Sequence, residues 1–277
     1  MRIKFIIGFL VIVVFYSCSE NRVEESGEVA QYLHLSHTRT NANPKLDLLV
    51  EKLDYTQFDM LWLGGDLAQL TSADDATMQH VDSIFDLSNK NTLWALGNHD
   101  YTDLKRVSEF TKKPRYYSQH QNGITTVVLD TQDSLCNIYR EQKAFLFAIL
   151  DTIQRSSHLV LLHHKLIWMY NHPELEKRTK EISNAEIGTC SYCINPNNFN
   201  KEVYPKLVEL EKRGIEVICI GGDIGFNSKE FEYETKDGIH FLASGMHSNE
   251  PNNKALLFKH QLADRKLTWK FLPIENL

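Results

Sequence analysis

What most constrains this chain is a succession of short apolar runs, each of strand length, set apart by longer mixed segments: residues 32–35, 60–63, 92–96, 125–129, 158–162, 217–220, 240–242 and 255–258. Runs this short, bounded by glycine and polar residues, predict strands. Between them, residues 44–52, 78–87, 141–153 and 204–212 space their apolar side chains as helices do; in the last, Leu207, Val208 and Leu210 share a face. Strand, helix, strand alternation predicts α/β layers with helices covering a sheet. The 277 residues show no internal repeat and no composition break past the start of the chain, so one large domain is expected. Residues 165–200 form the longest stretch without a clear period, and a loop of that size predicts part of a functional wall.

The polar residues gather at one end of the runs. Residues 61–63 lead into Gly64-Gly65-Asp66, and residues 93–96 into Gly97-Asn98-His99-Asp100. Residues 159–162 lead into His163-His164, and residues 217–220 into Gly221-Gly222-Asp223. In an open α/β sheet, groups at the carboxyl ends of strands converge on one crevice, where ligands bind. Carboxylate, amide and imidazole donors gathered there suit a divalent transition metal: zinc, manganese or iron. Taken singly, Gly-Asp and Gly-Asn are ordinary turn chemistry; their joint occurrence is what points to a site. His163 and His164 are neighbours, so in a strand they face opposite ways and only one can enter the crevice.

The first residues differ in kind. Met1-Arg2-Ile3-Lys4 is a short basic start, residues 5–16 are almost unbroken apolar, and a polar run follows from Ser19. The apolar stretch falls short of the about 20 residues a spanning helix needs and reads as a secretory signal; an uncleaved N-terminal anchor is the other reading. Ser17-Cys18 at its end resembles a lipoprotein acylation site. That predicts lipidation at Cys18, residues 1–18 as signal, 19–30 as a polar linker and 31–277 as the domain. The domain is then extracytoplasmic, in periplasm or at the outer membrane, and its N-terminal anchor holds it to a lipid bilayer. In an exported protein Cys136, Cys190, Cys193 and Cys219 can form disulfides, and four thiols allow three pairings. Cys190-Ser191-Tyr192-Cys193 is expected as a local disulfide or as free thiols, and Cys219, inside an apolar run, as a core residue. The formal net charge of −6 is spread without a block of like charge, so neither a nucleic-acid stripe nor a polybasic membrane patch is indicated.

In their order along the chain, Gly64-Gly65-Asp66, Gly97-Asn98-His99-Asp100, the His163-His164 pair and Gly222-Asp223 resemble the signature of the calcineurin-like metallophosphoesterases. Leu129-Asp130-Thr131 and the Glu141-Gln142 that opens a helix fit the same pattern, so the resemblance spans nearly the whole chain past the signal. It implies a layered β-sandwich flanked by helices, a four-layer fold, and a metal-dependent phosphoester hydrolase acting on a phosphorylated small molecule or polymer. By the same resemblance Asp66 would bridge two metals, Asn98 and His163 would hold the second, and His99, oriented by Asp100, would face the substrate phosphate. Metals so placed neutralise phosphate oxygens and activate water for in-line attack, while His99 serves the leaving oxygen.

The departures carry as much information. Where the family has Asp-x-His this chain has His37-Thr38-Arg39, and where it has Gly-His-x-His this chain has Gly222-Asp223-Ile224-Gly225. One metal position keeps Asp66, Asn98 and His163, with Asp223 able to stand in for a histidine; the other retains only Asp66 and His37. One metal is therefore expected rather than two. Arg39, where an imidazole normally coordinates, predicts a guanidinium that grips phosphate bidentately and supplies part of the missing charge. The same losses support a rival reading, a catalytically silent protein of this fold that binds a phosphorylated or polysaccharide ligand. Retention of His99 and Asp100 favours the hydrolase, because a binding module has little use for a leaving-group acid. A thiol–disulfide protein built on Cys190 and Cys193 would leave the metal pattern without a role.

Overall fold

The computed structural model describes residues 28–277; the expected signal segment and Cys18 lie outside the described residues. One sheet has the order β11-β10-β1-β2-β3. In it β1 (Val29–Leu35), β2 (Met60–Leu63) and β3 (Thr92–Trp94) are parallel, and β10 (Lys254–Gln261) and β11 (Lys266–Pro273) are antiparallel. The second sheet has the order β4-β5-β6-β7-β9-β8. Its centre is parallel, made of β5 (Ile124–Val128), β6 (His158–His163), β7 (Glu216–Gly221) and β9 (His240–Ser244). Antiparallel β4 (Tyr117–Gln121) and β8 (Glu230–Glu234) form its edges.

Strand periodicity decides how these sheets stack. Along β1, Tyr32 and His34 face one way and Leu33 and Leu35 the other. Tyr32 joins Trp62, Leu256 and Phe258 against Val160, Leu162, Ile218, Ile220 and Leu242 of the second sheet, which makes an inter-sheet core. Leu33 and Leu35 instead pack with Leu61 and Leu63 beneath α1 (Leu48–Lys52), α2 (Asp75–Phe85) and α3 (Leu104–Thr111), through Val50, Val81 and Val107. On the far side, Leu159, Leu161, Val217 and Cys219 meet Leu146 and Leu150 of α4 (Arg140–Thr152) and Leu207 and Leu210 of α6 (Tyr204–Lys212). The result is helix, sheet, sheet, helix: mixed α/β with two sheets flanked by helices, the layered sandwich expected. Each fully buried Leu, Ile or Val contributes about 1.5–3 kcal/mol relative to exposure, so both faces of both sheets hold the fold together. Trp62 is the central plug, fully buried with ring contacts to Tyr32 at 5.4 Å and Phe258 at 4.9 Å; its replacement by Ala would cost about 3–5 kcal/mol.

Helix starts follow local chemistry. Asp74 accepts from the Thr77 amide at 2.7 Å to open α2, and Asp103 from the Arg106 amide at 3.1 Å to open α3. Two details differ from the sequence reading. β1 opens at Val29, so residues 29 and 30 belong to the sheet rather than to the linker. The 165–200 stretch is ordered by short turns and α5 (Thr179–Ile182), because buried Trp168, Leu175, Ile182 and Phe199 tie it to the second sheet's core. Cys190 and Cys193 form a local disulfide, one of the two expected states, Cys219 is buried in the core as expected, and Cys136 is a second buried free thiol.

Among the described residues no helix is long and apolar enough to cross a membrane.

Candidate metal centre

The carboxyl ends of the parallel strands of both sheets meet at one rim. The Ser36 hydroxyl, after β1, donates to the Gly222 carbonyl after β7. His164, just past β6, places Nδ1 2.7 Å from the Gly64 carbonyl after β2. Two glycines let these turns approach: Gly65 has φ +95, and a Cβ on Gly97 would lie 2.1 Å from Asp66 Oδ1. His37 (φ 54) and Asp66 (φ 56) are themselves in the left-handed region, which side-chain-bearing residues enter at a cost of about 1–3 kcal/mol. The Asp66 turn is held by Asp100, whose Oδ2 accepts from the amides of Asp66 at 2.7 Å and Gly97 at 2.8 Å. Its Oδ1 accepts from the Leu67 amide at 3.1 Å and from the Thr71 hydroxyl.

Four buried side chains converge inside this rim: His37, Asp66, His164 and Asp223. His37 Nε2 lies 3.4 Å from Asp66 Oδ2 and 3.5 Å from Asp223 Oδ1. His164 Nε2 lies 3.7 Å from Asp66 Oδ1 and 3.9 Å from Asp223 Oδ1. These separations exceed good hydrogen-bond lengths. They approach the spacing of neighbouring donors around a tetrahedral zinc, roughly 3.3 Å for bonds of about 2.0–2.1 Å. His164 Nε2 is also buried without a hydrogen-bond partner, a cost that a bound cation removes. Its Nδ1, donating to Gly64, leaves the Nε2 lone pair free, the usual arrangement for a metal-binding imidazole. One donor atom each from His37, His164 and Asp223 lies within 4.8 Å of the others. This donor set fits a divalent ion, and Asp66 stands beside it.

Three of the expected assignments are corrected. His163 does not enter the crevice: it keeps the parity of Leu159 and Leu161, packs its ring 4.7 Å from Trp168, and pairs Nδ1 with the Lys165 carbonyl. His164, one residue on, turns inward. Asp100 does not orient the His99 ring, because its oxygens are taken up by three backbone amides and a hydroxyl; the Gln69 carbonyl, 2.6 Å from His99 Nδ1, has that part. Asn98 does not point its oxygen at the four-residue cluster but accepts from Lys165 Nζ at 3.0 Å. Lys165 is the residue sequence reasoning missed. Its ammonium, fully buried, also donates to Asp223 Oδ2 and to the Tyr192 carbonyl, both at 2.8 Å. A lysine directly after His-His and ahead of an apolar run was the one available signal. Asn184 was missed as well; its Nδ2 is 3.3 Å from both ring nitrogens of His37.

Arg39 and His99 face the open side. Arg39 Nη1 donates to Gln69 Oε1 at 2.7 Å, and its Nε is 4.0 Å from Asp66 Oδ2. His99 Nε2 is 3.9 Å from the same oxygen. Burial works to raise the Asp66 carboxyl, but His164, His37, His99 and Lys165 outweigh it and hold the group below the usual carboxylate range. Burial is likewise overcome at Asp223 by Lys165, His164 and His37. His37 is pushed down by burial, which keeps its imidazole neutral and able to bind a cation. Asp100 is pushed up by burial and by the Asp66 charge.

No family profile matches the sequence, and comparison with curated proteins gives no match. Among solved structures, the chain is similar to a dimetal phosphatase from Danio rerio, with 9% identity, a TM-score of 0.50, and coverage of 88% of this chain and 98% of that one. An NAD nucleotidase from Haemophilus influenzae aligns at 15% identity and TM-score 0.45 over 90% of this chain and 50% of its own. A 5'-nucleotidase precursor from Thermus thermophilus aligns at 13% identity and TM-score 0.41 over 89% and 54%. This chain thus spans about half the length of either nucleotidase. The likeness is one of fold, and the fold is metallophosphoesterase-like.

Proposed function

We propose that this protein is a metal-dependent phosphoester hydrolase acting on phosphomono- or phosphodiesters. The observation that carries the reading is the convergence of His37, Asp66, His164 and Asp223 at donor spacing around the unpartnered His164 Nε2. These four residues would hold a zinc, manganese or iron ion. Such an ion, when bound, supplies Lewis acidity for a phosphoryl oxygen and makes water a nucleophile near neutral pH.

The other roles fall to this chain's own groups. Arg39 is braced by Gln69 through one nitrogen, which leaves the rest of its fork to bind phosphate oxygens and stabilise charge on them as the ester breaks. His99 is pinned through Nδ1 by the Gln69 carbonyl, so Nε2 faces the open side; with that nitrogen protonated, His99 delivers the proton to the leaving oxygen. Asp100 acts one step back, by holding the Asp66 turn. The Danio rerio neighbour is described as a dimetal phosphatase, and its fold likeness supports phosphoester chemistry. A location outside the cytoplasm, with a lipid anchor at Cys18 preceding the domain, remains part of the proposal; the Cys190–Cys193 disulfide is of the kind that persists in oxidising compartments.

The test is metal analysis of the purified protein combined with assays on generic phosphomono- and phosphodiesters supplemented with manganese, zinc or iron. Bound metal and turnover, both lost in Asp66→Ala, are the expected results. A protein that binds phosphorylated ligands but hydrolyses none, at any metal loading, would overturn the hydrolase reading in favour of a silent binding protein.

A further inference from the structure

Lys165 is an unusual occupant of a site meant for cations. It is fully buried, and all three N–H bonds of its ammonium are engaged: by Asn98 Oδ1 at 3.0 Å, Asp223 Oδ2 at 2.8 Å and the Tyr192 carbonyl at 2.8 Å. Those acceptors come from three separate places: the turn after β3, the end of β7, and the four-residue loop closed by the Cys190–Cys193 disulfide. All are hard oxygens, the donor class that manganese, magnesium and calcium prefer. Asp223 is shared. Its Oδ1 faces His37 and His164, while its Oδ2 binds the ammonium. One carboxylate therefore spans two adjacent cation positions, and the chain itself fills the second.

We infer that the centre takes a single divalent ion and that Lys165 stands in the place of a second one, as a fixed internal cation. This rests on the metal-dependent reading above and states its stoichiometry. Electrostatics argue the same way: the ammonium already compensates Asp223, so another divalent ion beside it would bring an excess of buried positive charge that nothing compensates. Lys165 has no free N–H to offer a substrate, which makes it a positioning residue. It occupies Asp223 Oδ2, leaves Oδ1 facing the two histidines, and ties the Tyr192 loop to the rim. Removing the side chain would leave Asn98 Oδ1, Asp223 Oδ2 and the Tyr192 carbonyl as a vacated oxygen cradle.

The experiment is manganese titration of the full chain, reading bound equivalents by the loss of the free-ion paramagnetic resonance signal, for wild type, Lys165→Ala and Lys165→Gln. The glutamine variant offers an amide oxygen and guards against an alanine variant that does not fold. Wild type should saturate at one equivalent. Either folded variant should take a second, weaker equivalent, with spin coupling between the two ions. Two equivalents in wild type would overturn the inference while leaving the metal-dependent reading intact, and a variant that still binds only one would overturn it as well. No binding in any form would sink the metal-dependent reading itself.

Discussion

Asp100 Oδ2 lies 2.7 Å from the backbone amide of Asp66, a bond that fixes the left-handed turn from which Asp66 reaches the histidines. The carboxylate lies under the centre and accepts from the Leu67 and Gly97 amides as well. Asp100→Ala would leave three buried amides without partners, each costing about 1–3 kcal/mol. A loss of roughly 3 kcal/mol or more is expected in urea unfolding, with metal affinity falling alongside because Asp66 is released. Wild-type stability together with lost turnover would instead mean that Asp100 acts on substrate directly.

His163 and His164 separate two explanations of the same dipeptide. Both have a buried Nε2 without a hydrogen-bond partner, but that of His164 lies 3.7 Å from Asp66 Oδ1 and 3.9 Å from Asp223 Oδ1, whereas the His163 ring packs on Trp168. Even outer-sphere partners of a metal ligand are worth about 10–100-fold in affinity, so His164→Ala should weaken metal binding by at least about 100-fold. His163→Ala should keep metal stoichiometry and lower the melting temperature through lost packing. Equilibrium dialysis and thermal unfolding of both variants check this; the opposite pattern would restore His163 as the ligand.

Much of the scaffold was legible, and what escaped had a common cause. All eight apolar runs are strands: β1, β2, β3, β5, β6, β7, β9 and β10. The strands that escaped, β4, β8 and β11, are sheet edges whose alternating polar residues leave only half an apolar signal. The His163 assignment failed for the opposite reason. Every residue of β6 is buried, so the strand has no polar face to tell which way its last residue points. Lys165 escaped because its partners Asn98, Tyr192 and Asp223 are 67, 27 and 58 positions away; only the folded chain brings them together.

His34 should make the fold sensitive to acid. It is fully buried on β1, bonded through Nδ1 to the Ser244 hydroxyl at 2.8 Å, and burial, with a smaller push from His163, lowers it from 6.5 to about 3. Between those values the unfolded chain holds a proton there and the folded chain does not. Stability from this group is therefore full above about pH 6.5 and falls as pH drops toward about 3, by roughly 1.4 kcal/mol per pH unit. His34→Gln, unable to bind that proton, should show a shallower acid limb when urea midpoints are followed between pH 4 and 8. Parallel limbs for the two proteins would mean that His34 titrates normally in the fold.

Arg39 offers the sharpest separation between metal binding and phosphate chemistry. Its guanidinium is held 4.0 Å from Asp66 by the bond to Gln69, close enough to meet a phosphate seated on the centre and outside the set of four donors. Arg39→Ala should therefore leave metal content unchanged. Turnover should fall: loss of one donor that meets charge developing in a transition state costs about 100- to 1000-fold in kcat. Inorganic phosphate should also inhibit the variant more weakly, since the ground-state grip is lost with the guanidinium. Arg39→Lys restores the charge but not the planar fork, so it should recover only part of the rate. Unchanged turnover in Arg39→Ala would remove Arg39 from the reaction, and equal recovery by lysine would reduce its contribution to bare charge.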